Sequence, residues 1–236
     1  MKLLELFKGT GSVGKVAKDL GYDQIISLDL EPKYKPDILT DIMDWDYTVY
    51  PPHYFDVIWA SPPCTYYSVM QHVIVCTKAK KGIDWDLEGK RKESDKIVRR
   101  VLDIIDYYQP KYWFMENPQS GALKTRDVVK GLSWVDGDYC KYGYPYRKRT
   151  RFWTNSCPEL LLCKHDCPFS EGNRHIVSLG HRSTETIAVY KDANLLCKEH
   201  GFKYNRDMRY SIPPGLIRNL LPKKQVNRIK ISCRKK

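Results

Sequence analysis

The sequence has no long apolar run. Its first eight residues, Met1 to Lys8, are too few and too interrupted by charge to form a signal peptide or a membrane span. An integral membrane protein is therefore excluded. We expect an intracellular protein without a membrane partner, cytoplasmic or, if it comes from a eukaryotic virus, in the nucleus or a viral factory.

Acidic residues are the scarcer charged class. The chain has 28 Asp and Glu against 40 Lys and Arg, which gives a formal net charge of +12 at pH 7. Such an excess is typical of proteins that meet polyanions. Nucleic acid is therefore the first expected partner, and a basic protein without such a partner is the alternative that charge alone leaves open.

A C-x-x-C pair is also missing, although the chain has 8 cysteines. Their irregular spacing argues against a secreted disulfide framework. Cys157, Cys163, Cys167 and His175 lie close together in a segment with few apolar residues, where a zinc ion would add stability. Zinc held by these four residues is one hypothesis. Reduced cysteines packed as small hydrophobic residues are the other.

The first half of the chain alternates short apolar runs with amphipathic stretches. This pattern predicts strands and helices around a parallel sheet. Predicted strands cover residues 3–7, 24–28, 55–60 and 112–115, and predicted helices cover residues 13–20, the region of 97–108 and 212–221. The Lys-rich stretch 78–96 is interpreted as a solvated connection, with closure over a bound polyanion as the alternative.

A glycine-rich turn follows the first predicted strand. Gly9, Gly11 and Gly14 match G-x-G-x-x-G, in which missing side chains let a ligand approach the backbone at a helix N-terminus. Asp29 ends the next strand, where a carboxylate accepts hydrogen bonds from ribose hydroxyls. The motif predicts a nucleoside ligand and does not separate a nicotinamide dinucleotide from S-adenosylmethionine. Asp41 suits either an adenine amino group or a helix N-cap.

A cysteine follows two prolines at the end of another predicted strand. Pro62 and Pro63 restrict the backbone, so the Cys64 sulfur is expected at the carboxyl edge of the sheet, where open α/β proteins bind ligands. Glu116 follows the next predicted strand, which places the two turns side by side. A buried structural cysteine and an ion pair between Glu116 and Lys111 are the alternatives for each residue alone.

A carboxyl group beside a thiolate suits methylation of carbon 5 of cytosine. Addition of the thiolate to carbon 6, with an acid protonating ring N3, converts the ring into an enamine that attacks a methyl sulfonium. Amino-methyltransferases acting on adenine N6 or cytosine N4 instead clamp a base with a Ser-Pro-Pro-aromatic turn, and Tyr66 and Tyr67 follow closely here. Their reaction needs no covalent intermediate, so Cys64 and Glu116 favour carbon 5.

Three arginines alternate in a predicted strand. Arg147, Arg149 and Arg151 would share one face, because alternate side chains of a strand point the same way. On the side of the site they would hold the cytosine carbonyl and the flanking phosphates. An edge strand with solvated positive charges is the alternative.

Together these motifs resemble the DNA cytosine-C5 methyltransferase family, particularly its compact phage and viral versions. The resemblance implies a Rossmann-like class I S-adenosylmethionine-dependent methyltransferase fold with a mostly parallel sheet, S-adenosylmethionine as cofactor and double-stranded DNA as partner. The catalytic residues it implies are Cys64, Glu116, Arg149 and Arg151. The cofactor-binding residues it implies are Phe7, Gly9, Thr10, Gly11, Asp29, Leu30, Asp41, Ile42 and Pro62.

The resemblance also suggests a division of the chain. We expect a catalytic domain over 1–155, a small target-recognition-like insert over 156–205, and a helix with a basic tail over 206–236 that returns to the catalytic domain. The insert is short for the family, and Arg209-Tyr210 replaces its usual Gly-Asn. We expect a monomer. The competing function classes are a non-catalytic DNA-binding or S-adenosylmethionine-binding module and a nicotinamide oxidoreductase.

Overall fold

The computed structural model of the chain describes residues 1–175, 177, 198 and 210–223. Its strands are β1 (Lys2–Leu6), β2 (Gln24–Asp29), β3 (Ile38–Leu39), β4 (Val57–Ala60), β5 (Tyr112–Pro118), β6 (Trp134–Asp138), β7 (Arg149–Thr154), β8 (Ser170–Glu171) and β9 (Arg174–His175). Its α-helices are α1 (Ser12–Asp19), α2 (Gln71–Ala79), α3 (Leu87–Tyr108) and α4 (Pro214–Leu220). Short 3-10 helices cover Pro32–Tyr34, Tyr47–Val49, Ala122–Thr125, Asp127–Val129 and Tyr139–Tyr142.

A seven-stranded sheet organises the described part of the chain, in the order β3-β2-β1-β4-β5-β7-β6. Strands β1 to β5 pair in parallel, and β7 runs antiparallel between β5 and β6. The chain order reverses between β1 and β4, which places the ligand crevice of such a sheet at the carboxyl ends of these strands. The predicted Rossmann-like fold with a mostly parallel sheet is confirmed.

Both faces of the sheet are covered. Leu3 and Trp59 belong to one apolar core, and Leu4 and Ile58, their neighbours along the strands, belong to the other. This alternation follows from the period of two in a strand. Helix α3 covers one face, and α1 and α4 cover the other.

The predicted C-terminal helix returns to the glycine-rich end of the chain. Pro214 occupies its first turn, where a missing N–H costs nothing. Leu216 and Ile217 pack into the same core as Val13 of α1, and the Ile212 N–H donates to Ser12 Oγ at 3.3 Å. Helix α4 and the residues just before it therefore stabilise α1, the helix that begins at the glycine-rich turn.

Two predicted elements run beyond their predicted bounds. The Lys-rich stretch contains the first ten residues of α3, because Asp86 caps the helix by accepting the Gly89 N–H at 2.7 Å, and Glu and Lys favour helix. Strand β5 continues through Glu116 to Pro118, since β7 pairs with it up to that point. Most of the predicted insert beyond residue 175, with Arg209 and the basic tail beyond 223, lies outside the described residues.

A buried carboxyl group lies under the glycine-rich turn. Glu5 is 2% exposed, and its Oε2 accepts the Gly14 N–H at 3.1 Å. A Cβ atom at residue 14 would lie 2.7 Å from that oxygen, so a larger residue there would displace the Glu5 carboxyl group. Burial raises the pKa of Glu5 from 4.5 to about 7, against the opposing effect of the Gly14 hydrogen bond.

This shift makes stability depend on pH. Because the pKa is higher in the folded than in the unfolded chain, the folded state binds more protons between pH 4.5 and 7, and the free energy of unfolding falls by about 3 kcal/mol as pH rises through this window. Glu5→Gln removes the titration, so we expect it to lose much less stability between pH 5 and pH 8 in urea unfolding. The exposed Glu159→Gln is the matched control. Equal losses in the wild type and Glu5→Gln would contradict the assignment.

Candidate active site

The glycine-rich turn is built from left-handed backbone. Phe7, Gly9 and Gly11 have φ values of 61°, 49° and 67°. A Cβ atom at Gly9 would contact only the Phe7 carbonyl oxygen, at 3.9 Å, so the space above the turn is open. The Lys8 N–H donates to the Leu28 carbonyl at 3.0 Å and fixes the turn against β2. A ligand at the carboxyl end of β1 would meet backbone at close range.

Asp29 links this turn to the end of β2. Its Oδ2 accepts the Gly9 N–H at 2.8 Å, and its Oδ1 accepts the Glu31 N–H at 2.9 Å. A carboxylate has about four acceptor positions. The remaining positions suit the paired hydroxyls of a ribose.

The other residues expected around a cofactor lie at the same edge. Thr10 Oγ1 is buried and, among the described residues, lacks a hydrogen-bond partner. Leu30 is 60% exposed beside Asp29, which suits an apolar contact with a base. Asp41 Oδ1 accepts the Met43 N–H at 2.9 Å, as in an N-cap, and Ile42 is buried behind it. These features fit the adenosine part of S-adenosylmethionine.

The nucleophile turn and the acid turn lie side by side, as predicted. Strands β4 and β5 are neighbours in parallel register, with Ala60 opposite Met115. The buried Asn117 amide donates to the Pro62 carbonyl oxygen at 3.0 Å and joins the two turns directly. Asn117 received no role from the sequence, although it stands inside the acid motif. It fixes the proline pair that orients Cys64.

Cys64 and Glu116 are electrostatically coupled. The Cys64 side chain is accessible from solvent, yet protein atoms crowd it on its other sides. This desolvation raises the pKa of its thiol, and the negative charge of Glu116 raises it further. Burial also raises the pKa of Glu116, while Lys148 and a hydrogen bond with Ser61 oppose the shift. The second carboxyl oxygen of Glu116 is buried without a hydrogen-bond partner among the described residues.

The cation of this site is a lysine. Lys148 lowers the pKa of both Cys64 and Glu116, so its charge acts on both groups. Its ammonium group lies 4.9 Å from the centre of the Tyr139 ring, and Tyr139 is fully buried beside Glu116. The sequence pattern predicted a role for the arginines on either side of Lys148 and none for Lys148 itself. The signal that was available is the alternation of side chains along a strand, which places Lys148 on the face opposite to the arginines.

The arginines share one face as predicted, but it is not the face of Glu116. In β7, Phe152 pairs with Glu116 and packs with Trp59, whereas Arg151 pairs with Asn117 on the other face. Arg149 makes two hydrogen bonds to Asp138, at 3.0 and 2.6 Å, and Arg147 lies 3.6 Å from the same carboxylate. The register of β5 and β7 therefore places Arg149 and Arg151 on the opposite face of the sheet from Glu116, and their expected contact with the cytosine carbonyl and the flanking phosphates stays a prediction.

Arg151 is also engaged within the sheet. It makes two hydrogen bonds to Asp136, at 2.9 and 3.0 Å, and its guanidinium group lies 3.4 Å from the centre of the Trp134 ring. These contacts hold β6 against β7. In this structure Arg149 and Arg151 stabilise β7, the strand in which Phe152 lies opposite Glu116. Neither arginine contacts Glu116.

The segment after Cys64 is anchored to α3. Tyr67 is buried and its hydroxyl donates to Asp95 at 2.8 Å. Arg91 Nε donates to the Tyr66 carbonyl oxygen at 3.2 Å. The Gln71 amide, itself buried, donates to the Thr65 carbonyl at 3.0 Å. Because Tyr67 is committed to this network, it is not the aromatic clamp that an amino-methyltransferase turn requires.

A second cluster of ligand-type side chains lies on the far side of β6. It contains Cys163, Cys167 and His175, as predicted, but its fourth member is Cys140. Cys157, the remaining predicted ligand, is exposed and outside the cluster. The correction arises because Cys140 lies in the Tyr139–Tyr142 turn between β6 and β7, far from the others in sequence and beside them in space.

The described residues contain no helix with the length and apolar character needed to cross a bilayer.

Comparison with known proteins identifies the family. A family model described as C-5 cytosine-specific DNA methylase matches residues 1–129, the range that carries the glycine-rich turn, Cys64 and Glu116. The chain belongs to the C-5 cytosine-specific DNA methylase family. A Frog virus 3 (isolate Goorha) protein named "Probable DNA (cytosine-5)-methyltransferase" is 33% identical over 236 residues, covering 94% of this chain and 99% of that protein.

Two solved structures are similar at lower identity. One is a DNA modification methyltransferase encoded within an E. coli prophage, with 14% identity and a TM-score of 0.45 over 65% of this chain and 46% of that one. The other is the Entamoeba histolytica methyltransferase EhMeth, with 14% identity and a TM-score of 0.45 over 70% of this chain and 57% of that one. The chain thus spans about half the length of each.

Family membership gives the general activity. The chain is a DNA cytosine-5 methyltransferase, for which DNA is the substrate and S-adenosylmethionine the methyl donor. The expected class of enzyme is confirmed, and the roles of individual residues follow as proposals.

Proposed function

We propose that this C-5 cytosine-specific DNA methylase acts through a covalent bond between Cys64 Sγ and carbon 6 of a cytosine flipped out of DNA. One observation carries the proposal. Cys64 follows β4, Glu116 lies near the carboxyl end of the neighbouring parallel strand β5, and their side chains interact electrostatically. This is the pair of groups that activation of carbon 5 requires.

The bond changes at the base are as follows. The Cys64 thiolate adds to carbon 6, and the electrons of the 5,6 double bond move toward ring N3, which takes a proton from Glu116. S-adenosylmethionine supplies the methyl group as an electrophile, and the electron-rich carbon 5 accepts it. S-adenosylhomocysteine leaves, and a base takes the proton from carbon 5. Cleavage of the bond between carbon 6 and sulfur then restores the 5,6 double bond and frees the Cys64 thiolate, while ring N3 returns its proton to the Glu116 carboxylate.

The surroundings of Glu116 support its role as the acid. Burial favours the neutral carboxyl group and raises its pKa, so a proton is retained nearer to neutral pH. Its second oxygen is buried and has no partner among the described residues, so one hydrogen-bonding position of the carboxyl group is unused. The positive charge of Lys148 favours the thiolate of Cys64 and an anion bound beside it. Lys148 is thus proposed as the cation of the base pocket.

The arginines are proposed as positioning residues. Through Asp138 and Asp136, Arg149 and Arg151 keep β6 and β7 in register. That register places Phe152 behind Glu116. The two bonds to Asp136 use Nε and Nη2 of Arg151, which leaves the Nη1 donors for a cytosine carbonyl without breaking the ion pair.

The surface beside Cys64 suits a nucleic acid. Val69, Met70 and Val73 are each more than half exposed at the start of α2, next to the nucleophile turn. Lys78 lies in the last turn of the same helix, and Lys80 and Lys81 follow directly after it. A chain of net charge +12 approaching phosphates with this surface would gain affinity from counterion release. Carbon 6 is reached only after the base leaves the stack, so base flipping is part of the proposal.

Mass spectrometry of nucleosides tests the proposed reaction. The protein is incubated with mixed-sequence duplex DNA and S-adenosylmethionine, and the DNA is digested. We expect 5-methyldeoxycytidine. N4-methyldeoxycytidine or N6-methyldeoxyadenosine would identify an amino-methyltransferase instead. Salt-dependent DNA binding with no methylated nucleoside would identify a non-catalytic module.

Asp29→Ala tests the cofactor site. The substitution removes a charged acceptor of ribose hydroxyls and also frees the Gly9 N–H. We expect the Kd for S-adenosylmethionine to rise roughly 10- to 100-fold, as for the loss of a hydrogen bond to a charged group. Isothermal titration calorimetry measures it. Asp19→Ala, an exposed carboxylate on α1 paired with Arg218, is the control. Unchanged affinity in Asp29→Ala would mean that the ribose binds elsewhere.

A further inference from the structure

The Cys140, Cys163, Cys167 and His175 cluster has the geometry of a metal site. Its four ligand atoms, three Sγ and one imidazole nitrogen, all lie within 4.8 Å of one another. His175 Nε2 is 3.4 Å from both Cys163 Sγ and Cys167 Sγ. Tetrahedral zinc with Zn–S near 2.3 Å and Zn–N near 2.0 Å places sulfur and nitrogen about 3.5 Å apart. These two sulfur–nitrogen separations match a tetrahedral site, and the other ligand atoms lie near enough to complete it.

The chemistry of the ligands selects the metal. Three thiolates and one imidazole in a tetrahedral arrangement favour zinc over hard cations such as magnesium, which prefer oxygen. Cys163 and Cys167 are separated by three residues, within the spacing of structural zinc sites. The Ser170 hydroxyl lies 3.1 Å from Cys167 Sγ. Such outer contacts orient metal ligands.

Among the described residues, little else stabilises the local fold. His175 is delivered by the β8–β9 hairpin, which has two residues in each strand. A hairpin of this size is not stable alone. Within the described part of the chain, the accompanying apolar cluster consists of the three cysteines and Phe169. A bound metal would supply the missing stability.

We propose that Cys140, Cys163, Cys167 and His175 bind one structural zinc ion, which fastens the start of the insert to the turn between β6 and β7. This site is separate from the proposed methyl transfer. It adjoins the active site through two contacts. Tyr139, next to Cys140, forms the wall beside Glu116. The fully buried Asp138 accepts the Cys163 N–H at 2.8 Å and also holds Arg149.

Metal content tests the site. The full chain, purified without chelator, is analysed by inductively coupled plasma mass spectrometry, and we expect about one zinc per chain. Cys163→Ser and Cys140→Ser should fall to near zero. Cys157→Ser, an exposed cysteine of the same insert, is the matched control and should keep its zinc. Wild-type protein without zinc after incubation with zinc chloride would overturn the proposal, as would loss of zinc in Cys157→Ser alone.

A second measurement uses the wild type and does not depend on variants that fold. Thiol alkylation followed by peptide mapping should leave Cys140, Cys163 and Cys167 protected until a chelator removes the metal, while Cys157 reacts in both states. Replacement of zinc by cobalt should give the visible absorption of a tetrahedral thiolate site. A disulfide between two of the three cysteines, or protection that a chelator does not change, would contradict the zinc assignment. Failure of methylation would leave these readouts unaffected.

Discussion

Cys64→Ala is expected to reduce methyl transfer by on the order of 10⁴-fold or more, since removal of a covalent nucleophile leaves only binding and charge stabilisation. Without the sulfur no bond forms to carbon 6, and carbon 5 stays a poor nucleophile. The substitution removes a solvent-accessible side chain and leaves the bond between Asn117 and Pro62 in place. Affinity for S-adenosylmethionine should therefore be retained.

The measurement is transfer of labelled methyl groups to duplex DNA, with calorimetry of cofactor binding on the same preparation. Cys157→Ala is the control, because Cys157 is another exposed cysteine, outside both the nucleophile turn and α2, and should keep full activity. Activity of Cys64→Ala within a few fold of the wild type would mean that the reaction does not need a thiolate. Loss of cofactor binding in Cys64→Ala would mean that the residue belongs to the cofactor pocket.

Glu116→Gln is expected to lower turnover by roughly 10²- to 10⁴-fold, the usual contribution of a general acid. The substitution preserves size and removes the proton that ring N3 needs. It also removes the negative charge that raises the pKa of Cys64. The variant should therefore have a thiol of lower pKa and lower activity at the same time.

The two effects have separate readouts. The pH dependence of Cys64 alkylation reports the thiol pKa, which should fall in Glu116→Gln. In the wild type, turnover should decline as pH rises through the raised pKa of Glu116, because only the protonated carboxyl group is active. This alkaline decline should vanish in Glu116→Gln. Glu159→Gln, exposed and remote, should behave like the wild type. An unchanged thiol pKa would contradict the coupling between the two residues.

Much of the site could be predicted because parallel strands end at one edge of a sheet. The apolar runs before Cys64 and Glu116 predicted two neighbouring strands, and their pairing brings the two turns together. The glycine-rich turn and Asp29 were predicted for the same reason, and the Asp29 side chain contacts that turn directly. Local pattern and topology were sufficient for these residues.

The face of β7 could not be predicted in this way. Alternation predicts that Arg149 and Arg151 share a face, but which face depends on the register of an antiparallel pair. That register places Glu116 opposite Phe152. If β7 were shifted by one residue against β5, the arginines would lie on the face of Glu116, and Lys148 and Thr150 would lie on the opposite face. No local feature of the sequence specifies this choice.

The fourth member of the cysteine cluster was missed for a related reason. Cys140 precedes β7 and Cys163 follows it, so their proximity depends on how the chain returns past β6. The Asp138 N–H donates to the Leu161 carbonyl at 3.0 Å, which shows where this return takes place. Nearness in sequence favoured Cys157, which is exposed.

Covalent trapping tests the central claim most directly. Duplex DNA in which 5-fluorocytosine replaces cytosine is incubated with the protein and S-adenosylmethionine, and the product is digested and mapped by mass spectrometry. Fluorine on carbon 5 cannot leave as a proton does, so the bond from sulfur to carbon 6 should persist. We expect a stable adduct on the peptide that contains Cys64, and none with Cys64→Ala. Methylation of ordinary DNA without any adduct on this peptide would contradict the account.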